Sequence, residues 1–340
     1  MLIRRTAARI GAWHVLPNSI YEQHLLEHNS ALPESVFDLA LRTAPTVLYF
    51  HGNAATRAAS NRVRVARYMS SENRNFVIID YRFVLSPSRT QVALTDALSS
   101  GFADSTGVPT ERGLYLDARR FWDWLTLEKG AKAGEISVMG QSLGTGVTTS
   151  LVSTLANEGS SFFSQFCSRL ISDAGITPRS MILVAPFASI PRLLKTYKLG
   201  MIIPILGPLK AFPALVDTFL KTLYTRFDTI AVISVRSRVG EAACRVLRIR
   251  LQSIKCPILL LHAQNDRTIP YTHSHDLFEH LASSESVKAT TRSEWGKWGS
   301  VLQLERVDAG RVVLGAANSG NHNNIGSEEM SLRLMNEIMK

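Results

Sequence analysis

The sequence predicts an α/β fold: a central, mostly parallel sheet with helices on both faces. Two observations carry this reading. Five short apolar runs, TVLYFH (46–51), FVIIDY (76–81), ISVMG (136–140), MILVAP (181–186) and PILLLHA (257–263), are rich in β-branched or aromatic residues and end in residues that suit a loop, as strands do. The runs are continuous rather than alternating, which is the pattern of strands covered on both faces. Helical patterns lie between them at 58–70, 111–129 and 142–157. In the second of these, Leu116, Phe121, Trp124 and Leu125 are expected to turn inward. Strands alternating with helices are the signature of a doubly wound sheet.

One motif carries chemistry. Gly140-Gln141-Ser142-Leu143-Gly144 is G-x-S-x-G, with ISVM in front reading as a strand and a helical pattern behind. A serine at that sharp strand-to-helix turn is pushed out above the sheet, the arrangement of an α/β-hydrolase nucleophile. The turn is crowded, so Gly140 and Gly144 must be small. The helix start behind it favours negative charge nearby.

An acyl-transfer serine needs a base and an orienting acid. In this fold the chain order is serine, then acid, then histidine. Asp266 follows PILLLHA, in the loop after a late strand, and is the expected acid. His322, in the polar stretch SGNHNN (319–324), is the expected base. His273, His275 and His280 fall on an expected helix after Asp266 and carry little weight. The tetrahedral oxyanion needs two backbone N–H donors. Leu143 and Asn53 are the candidates, with Gly52 allowing close approach in the loop after TVLYF. His51 precedes the serine and is expected to brace that loop rather than act as base.

The 340 residues fit a single α/β domain over 1–340, with 45% hydrophobic and 19% charged residues. Residues 187–230 break the strand–helix rhythm with Pro191, Pro204, Pro208 and Pro213 among apolar residues, and are expected to form a small cap over the strand ends. The net charge is +10, but the positive charges are scattered and lack an aromatic–basic motif, so nucleic acid is not an expected partner. The three cysteines, Cys167, Cys244 and Cys256, show no CxxC or Cys/His spacing, so neither a disulfide framework nor a metal site is expected. The chemistry requires no cofactor. The N-terminal segment starts basic without a signal-peptide apolar region, and no run reaches the roughly 18–20 apolar residues of a transmembrane helix.

Taken together, VLYFHGNAATRAASNRV, IIDYR, GFADSTGVPTERGLYLDARRFWDWL, GQSLGTGV and CPILLLHAQNDRTIP resemble the alpha/beta-hydrolase domain-containing protein 12 group. The resemblance runs from about Gly11 to His322 and places the family's serine, aspartate and histidine on Ser142, Asp266 and His322. WHVLP (13–17) resembles the strand before the family's HGN loop. The resemblance implies membrane-associated lipases acting on lysophosphatidylserine and monoacylglycerol.

Three departures stand out. Family members read the DYR segment straight into the G-x-S segment, whereas here residues 83–100 intervene. A second atypical insert covers 232–249. Each is 18 residues long and unlike its flanks, as a short intron read through in frame would be. The second holds four arginines against one glutamate, so without it the net charge falls from +10 to +7. Third, some relatives carry an N-terminal transmembrane helix and this chain shows none.

The expectation is therefore a serine hydrolase of acyl esters, a monoacylglycerol or lysophospholipid lipase acting through an acyl-enzyme. Its substrate is a small lipid-like ester. Its setting is intracellular, cytoplasmic or peripheral at the endoplasmic reticulum membrane, with a peripheral membrane contact through the cap. The alternatives are a protein thioesterase or acyltransferase on the same triad, or a non-catalytic hydrolase-like protein.

Overall fold

The computed structural model describes residues 10–28, 30–53, 56–82, 110–158, 176–188, 254–283, 287–307 and 309–340, together with Ser105, Leu193 and the short segments 198–199 and 203–204. Both inserts, 83–100 and 232–249, and nearly all of the expected cap at 187–230 lie outside the described residues.

The apolar runs do become the sheet. In chain order the strands are β1 (Ala12–Val15), β2 (Thr46–Phe50), β3 (Asn75–Ile79), β4 (Ile136–Gln141), β5 (Ser180–Val184), the short β6 (Lys198–Leu199) and β7 (Ile203–Pro204), β8 (Ile258–Ala263), β9 (Val287–Glu294), β10 (Gly299–Arg306) and β11 (Ala309–Ala317). Nine of them form one sheet in the order β1-β3-β2-β4-β5-β8-β11-β10-β9, and β6 pairs with β7. From β3 to β11 every neighbouring pair is parallel. Strands β1, β10 and β9 are antiparallel additions at the two edges. Every residue of β2 to β5 and of β8 is buried, which is why these segments read as unbroken apolar runs.

The described helices are α1 (Asn18–His28), α2 (Glu34–Thr43), α3 (Ser60–Ser71), α4 (Glu111–Asp123), α5 (Leu143–Glu158), α6 (Thr272–Ala282), α7 (Asn321–Asn324) and α8 (Glu329–Ile338). Two apolar cores, one on each face of the sheet, take the side chains that alternate along the strands. Leu48 and Phe50 enter one, while Val47 and Tyr49 enter the other. The sheet is covered on both faces, and this is the α/β-hydrolase fold. No helix among the described residues is long and apolar enough to cross a membrane.

Helix α4 differs in detail from its sequence pattern. It ends at Asp123 and continues as a π-helical turn over Trp124–Glu128. Phe121, Trp124 and Leu125 are buried as expected, but Leu116 is exposed, and Leu114, Ala118 and Trp122 complete the inward face instead. Thr110 caps the helix by accepting a hydrogen bond from the Gly113 N–H, and the 3.6-residue repeat counted from that start turns Leu116 to solvent.

Strand order reverses at the centre. From β2 the chain passes to β3 on one side and later returns to β4 on the other. The loops after β2 and β4 therefore diverge and leave a crevice at the carboxyl ends of the strands, where open α/β sheets place their sites.

Candidate active site

Ser142 stands in that crevice, between the last residue of β4 and the first of α5. Its φ is 51°, a left-handed conformation that a non-glycine residue seldom holds. The surroundings enforce it. The Ser142 N–H donates to Val184 O at 2.9 Å, and the Ser142 carbonyl accepts from Thr145 N at 2.9 Å and Thr145 Oγ1 at 2.6 Å. The flanking glycines are required by contact: a Cβ on Gly144 would overlap the Phe50 carbonyl oxygen, and one on Gly140 would overlap the Gly144 carbonyl. The start of α5 is thus pressed against the end of β2.

Asp266 and His322 reach Ser142 from two further loops. Asp266 follows β8, and His322 sits on α7, a single helical turn after β11. His322 Nε2 lies 3.0 Å from Ser142 Oγ, and its Nδ1 lies 2.8 Å from Asp266 Oδ2. A carboxylate only accepts, so Nδ1 carries the proton and the lone pair of Nε2 faces the serine hydroxyl. Asp266 Oδ1 accepts from the backbone N–H groups of Thr268 at 2.8 Å and Ile269 at 2.9 Å. Burial works against its charge, but hydrogen bonds from His262 and His322 outweigh it, holding the carboxyl well below the usual range.

The loop after β2 lies directly against the serine. A Cβ on Gly52 would stand 3.2 Å from Ser142 Cβ, so only glycine fits there without a shift. Asn53 follows, half-buried, and Leu143 opens α5, where the first N–H groups have no intrahelical partner. Leu143 is thus the residue after the serine, and Asn53 follows the glycine that touches Ser142.

His51 does not face the serine's base position. It is fully buried, with Nδ1 donating to Gly52 O at 2.7 Å and Nε2 3.1 Å from Asp80 Oδ1. Burial lowers its pKa and the Asp80 hydrogen bond opposes that shift. Asp80 also accepts from the Arg57 N–H at 2.8 Å and from the Arg57 guanidinium, while Tyr81 Oη donates to His51 O at 2.7 Å. The loop is held at both ends by one carboxylate.

Two contributors escaped the sequence reading of the site. Asp80 was visible only as part of a strand, and Gln141 only as the variable residue of the motif. Gln141 Oε1 accepts from Tyr49 Oη at 2.7 Å, and its Nε2 donates to the carbonyls of His322 and Asn323 at 3.2 and 3.3 Å. A cavity of about 360 Å³ lined by Asn265, Arg267, Thr268, Asn321, His322 and Asn323 adjoins the triad at His322. Among the described residues no cluster of three or more histidine, cysteine or acidic side chains could hold a metal ion.

No family model matches the chain. Curated relatives do match. The chain is 28% identical over 279 residues to the lysophosphatidylserine lipase ABHD12 of Danio rerio, covering 82% of this chain and 57% of the relative. It is 25% identical over 271 residues to human protein ABHD12B, covering 79% of this chain and 58% of the relative. By sequence the chain is similar to the ABHD12 proteins over about four fifths of its length. It spans less than two thirds of the length of the curated relatives it matches. Among solved structures, an alpha-beta hydrolase from Vibrio vulnificus superposes with a TM-score of 0.50 at 16% identity, over 86% of this chain and 70% of that one. That likeness concerns the fold, and the relation to ABHD12 rests on sequence.

Proposed function

We propose that the chain is a serine hydrolase of carboxylic esters, working through an acyl-enzyme on Ser142, with single-chain glycerolipids as substrates. The observation that carries this reading is the unbroken line from Ser142 Oγ through both ring nitrogens of His322 to Asp266 Oδ2. His322 Nε2 takes the hydroxyl proton as Oγ attacks the ester carbonyl. The oxyanion is held by the N–H groups of Leu143 and Asn53. The tetrahedral adduct collapses, the imidazolium gives its proton to the departing alcohol, and Ser142 keeps the acyl group. A water then loses its proton to His322 and attacks the acyl carbon; the second adduct breaks its bond to Ser142 Oγ, which takes the proton back from the imidazolium as the acid leaves. Asp266 fixes the tautomer throughout and stabilises the imidazolium.

The relatives' name, lysophosphatidylserine lipase, supports a lysophospholipid or a related monoacylglycerol as the ester. A peripheral membrane contact follows from such a substrate. The apolar stretch 201–209, flanked by Lys195, Lys198 and Lys210, suits an interfacial position.

The test is labelling with a fluorophosphonate probe, followed by turnover of monoacylglycerol, lysophospholipid and thioester substrates with an alcohol acceptor present. The expected result is labelling that Ser142→Ala abolishes, with hydrolysis of the single-chain lipid esters. Absence of labelling in the folded protein overturns the reading. Preferential transfer to the alcohol reassigns it to acyl transfer.

A further inference from the structure

A second buried imidazole stands behind the acid. His262 is on β8, four residues before Asp266, with no exposed side-chain surface. Its Nε2 lies 2.8 Å from the carbonyl oxygen of Ile269 and 3.3 Å from Asp266 Oδ2. A carbonyl only accepts, so Nε2 carries a hydrogen and donates it to Ile269, with the carboxylate oxygen at the longer distance. The other ring nitrogen, Nδ1, lies 2.6 Å from Oγ of Ser274, a fully buried residue of α6. The ring of Tyr271 meets the His262 ring edge-on, with centroids 6.0 Å apart.

This geometry surrounds the acid. Oδ1 receives two backbone N–H groups, and Oδ2 receives the Nδ1–H of His322 while His262 Nε2 stands 3.3 Å from it. The same nitrogen that faces Oδ2 holds Ile269, whose own N–H holds Oδ1. His262 therefore links the strand, the acid loop and α6 at one point.

We propose that His262 is a positioning residue for the triad: by sharing Oδ2 with His322 and pinning the loop at Ile269, it fixes the carboxylate that orients His322. The proposal rests on the serine-hydrolase reading of the same site and adds to it a residue that touches neither serine nor substrate. Its effect is on the turnover step and not on substrate binding, because the ring lies behind the acid, away from the cavity.

The test compares two variants of nearly equal shape in the full chain. His262→Gln keeps an N–H close to the position of Nε2, and His262→Met fills the same space without one. His262→Met is expected to lower kcat by about tenfold or more with KM changed less than about threefold, as a small displacement of a triad member does. His262→Gln is expected to recover most of that loss. The Nδ1–H proton of His322, read by NMR as a downfield resonance, is expected to move or broaden in His262→Met and to return in His262→Gln. Equal losses in the two variants, or an unchanged resonance in His262→Met, overturn the proposal and leave His262 as a packing residue. If thermal melts show that neither variant folds, Ser274→Ala carries the test, since it removes only the ring's other support. A fall in kcat at constant KM is then expected, and unchanged kcat overturns the proposal. Wild-type protein that folds but takes no fluorophosphonate sinks the hydrolase reading instead, and the NMR comparison still decides the role of His262.

Discussion

Gln141 Nε2 donates a hydrogen bond to the main-chain carbonyl of His322 at 3.2 Å, although the two residues lie 181 positions apart. The residue beside the serine thus holds the backbone of the residue whose ring faces the serine. The other end of the same amide takes the hydroxyl of Tyr49, which is buried and whose pKa is pushed up to about 12 by burial. Gln141 reads both its neighbours by hydrogen bonds, with its oxygen on a donor and its nitrogen on two acceptors.

Replacing Gln141 by Leu should therefore act in two places. The Tyr49 hydroxyl loses its acceptor inside the core, which costs about 1–3 kcal/mol. The His322 turn loses two tethers, and kcat falls with it. Gln141→Glu keeps an acceptor for Tyr49 but sets a carboxylate against two carbonyl oxygens, so it should be the worse variant for turnover. Urea unfolding and steady-state kinetics on the two proteins check both statements.

Ser142 and His322 should behave as one unit. Ser142→Ala and His322→Ala are each expected to remove most ester turnover, and the double variant should be little worse than either, since each group acts only through the other. Multiplying losses would show that the two act independently, and near-normal turnover in Ser142→Ala would place the nucleophile elsewhere.

Two glycines near the serine, Gly144 of the elbow and Gly52 of the loop after β2, divide by what they touch. A Cβ on Gly144 meets the backbone of Phe50, which cannot yield without disturbing β2, whereas a Cβ on Gly52 meets Ser142 Cβ at 3.2 Å. Gly144→Ala should therefore destabilise the fold by about 1–3 kcal/mol or more, in the manner of overpacking. Gly52→Ala should keep most of its stability and lose probe labelling. Thermal melts set beside labelling rates separate the two effects.

The site was legible in the sequence wherever a local rule governs it. The G-x-S-x-G turn needs glycines and a strand in front, and the acid and base are expected after late strands in fixed order, and the three residues chosen that way, Ser142, Asp266 and His322, do come together. Five of the six parallel strands were legible because burial on both faces leaves few polar positions. Strand β9 was not, because VKATTRSE is almost wholly exposed and is defined by its pairing with β10. The supporting side chains were illegible for a different reason. Asp80 meets Arg57 and His51 across 23 and 29 residues, and Gln141 meets His322 across 181. Such contacts exist only after the sheet has assembled, and no period or motif announces them. Leu116 shows the opposite limit, an apolar residue inside a helical pattern that the register turns to solvent.

The Asp80 network gives a stability prediction. Its carboxylate is fully buried and paired with Arg57, whose side chain is also largely buried. Removing one partner of such a pair leaves an uncompensated charge and typically costs about 3–5 kcal/mol. Asp80→Ala should show a loss of that order in denaturant unfolding. It should also release the Gly52–Asn53 loop, so that kcat falls further than in an equally destabilised core variant such as Val47→Ala. Equal kcat in the two would mean that the loop holds its place without Asp80.

Asp266 makes its own prediction through pH. Its folded-state pKa is depressed, below that of an aspartate in the unfolded chain. A group of this kind adds stability that is fully present above the unfolded pKa of about 3.9 and is lost as pH falls through the folded value. Asp266→Asn removes the charge but not the shape. Its amide oxygen can keep the N–H groups of Thr268 and Ile269, which then turns the NH2 toward the N–H groups of His322 and His262, donor against donor. The variant should thus be less stable than the parent at pH 7, and the difference should shrink as pH is lowered below about 4. Its turnover should fall far more than its stability, because an asparagine facing Nδ1 favours the tautomer with the proton on Nε2, where Ser142 needs an acceptor. Unfolding curves at pH 7, 5 and 3 beside kcat at pH 7 test both parts. A stability gap that stays constant with pH would show that the carboxylate's charge contributes nothing to the fold.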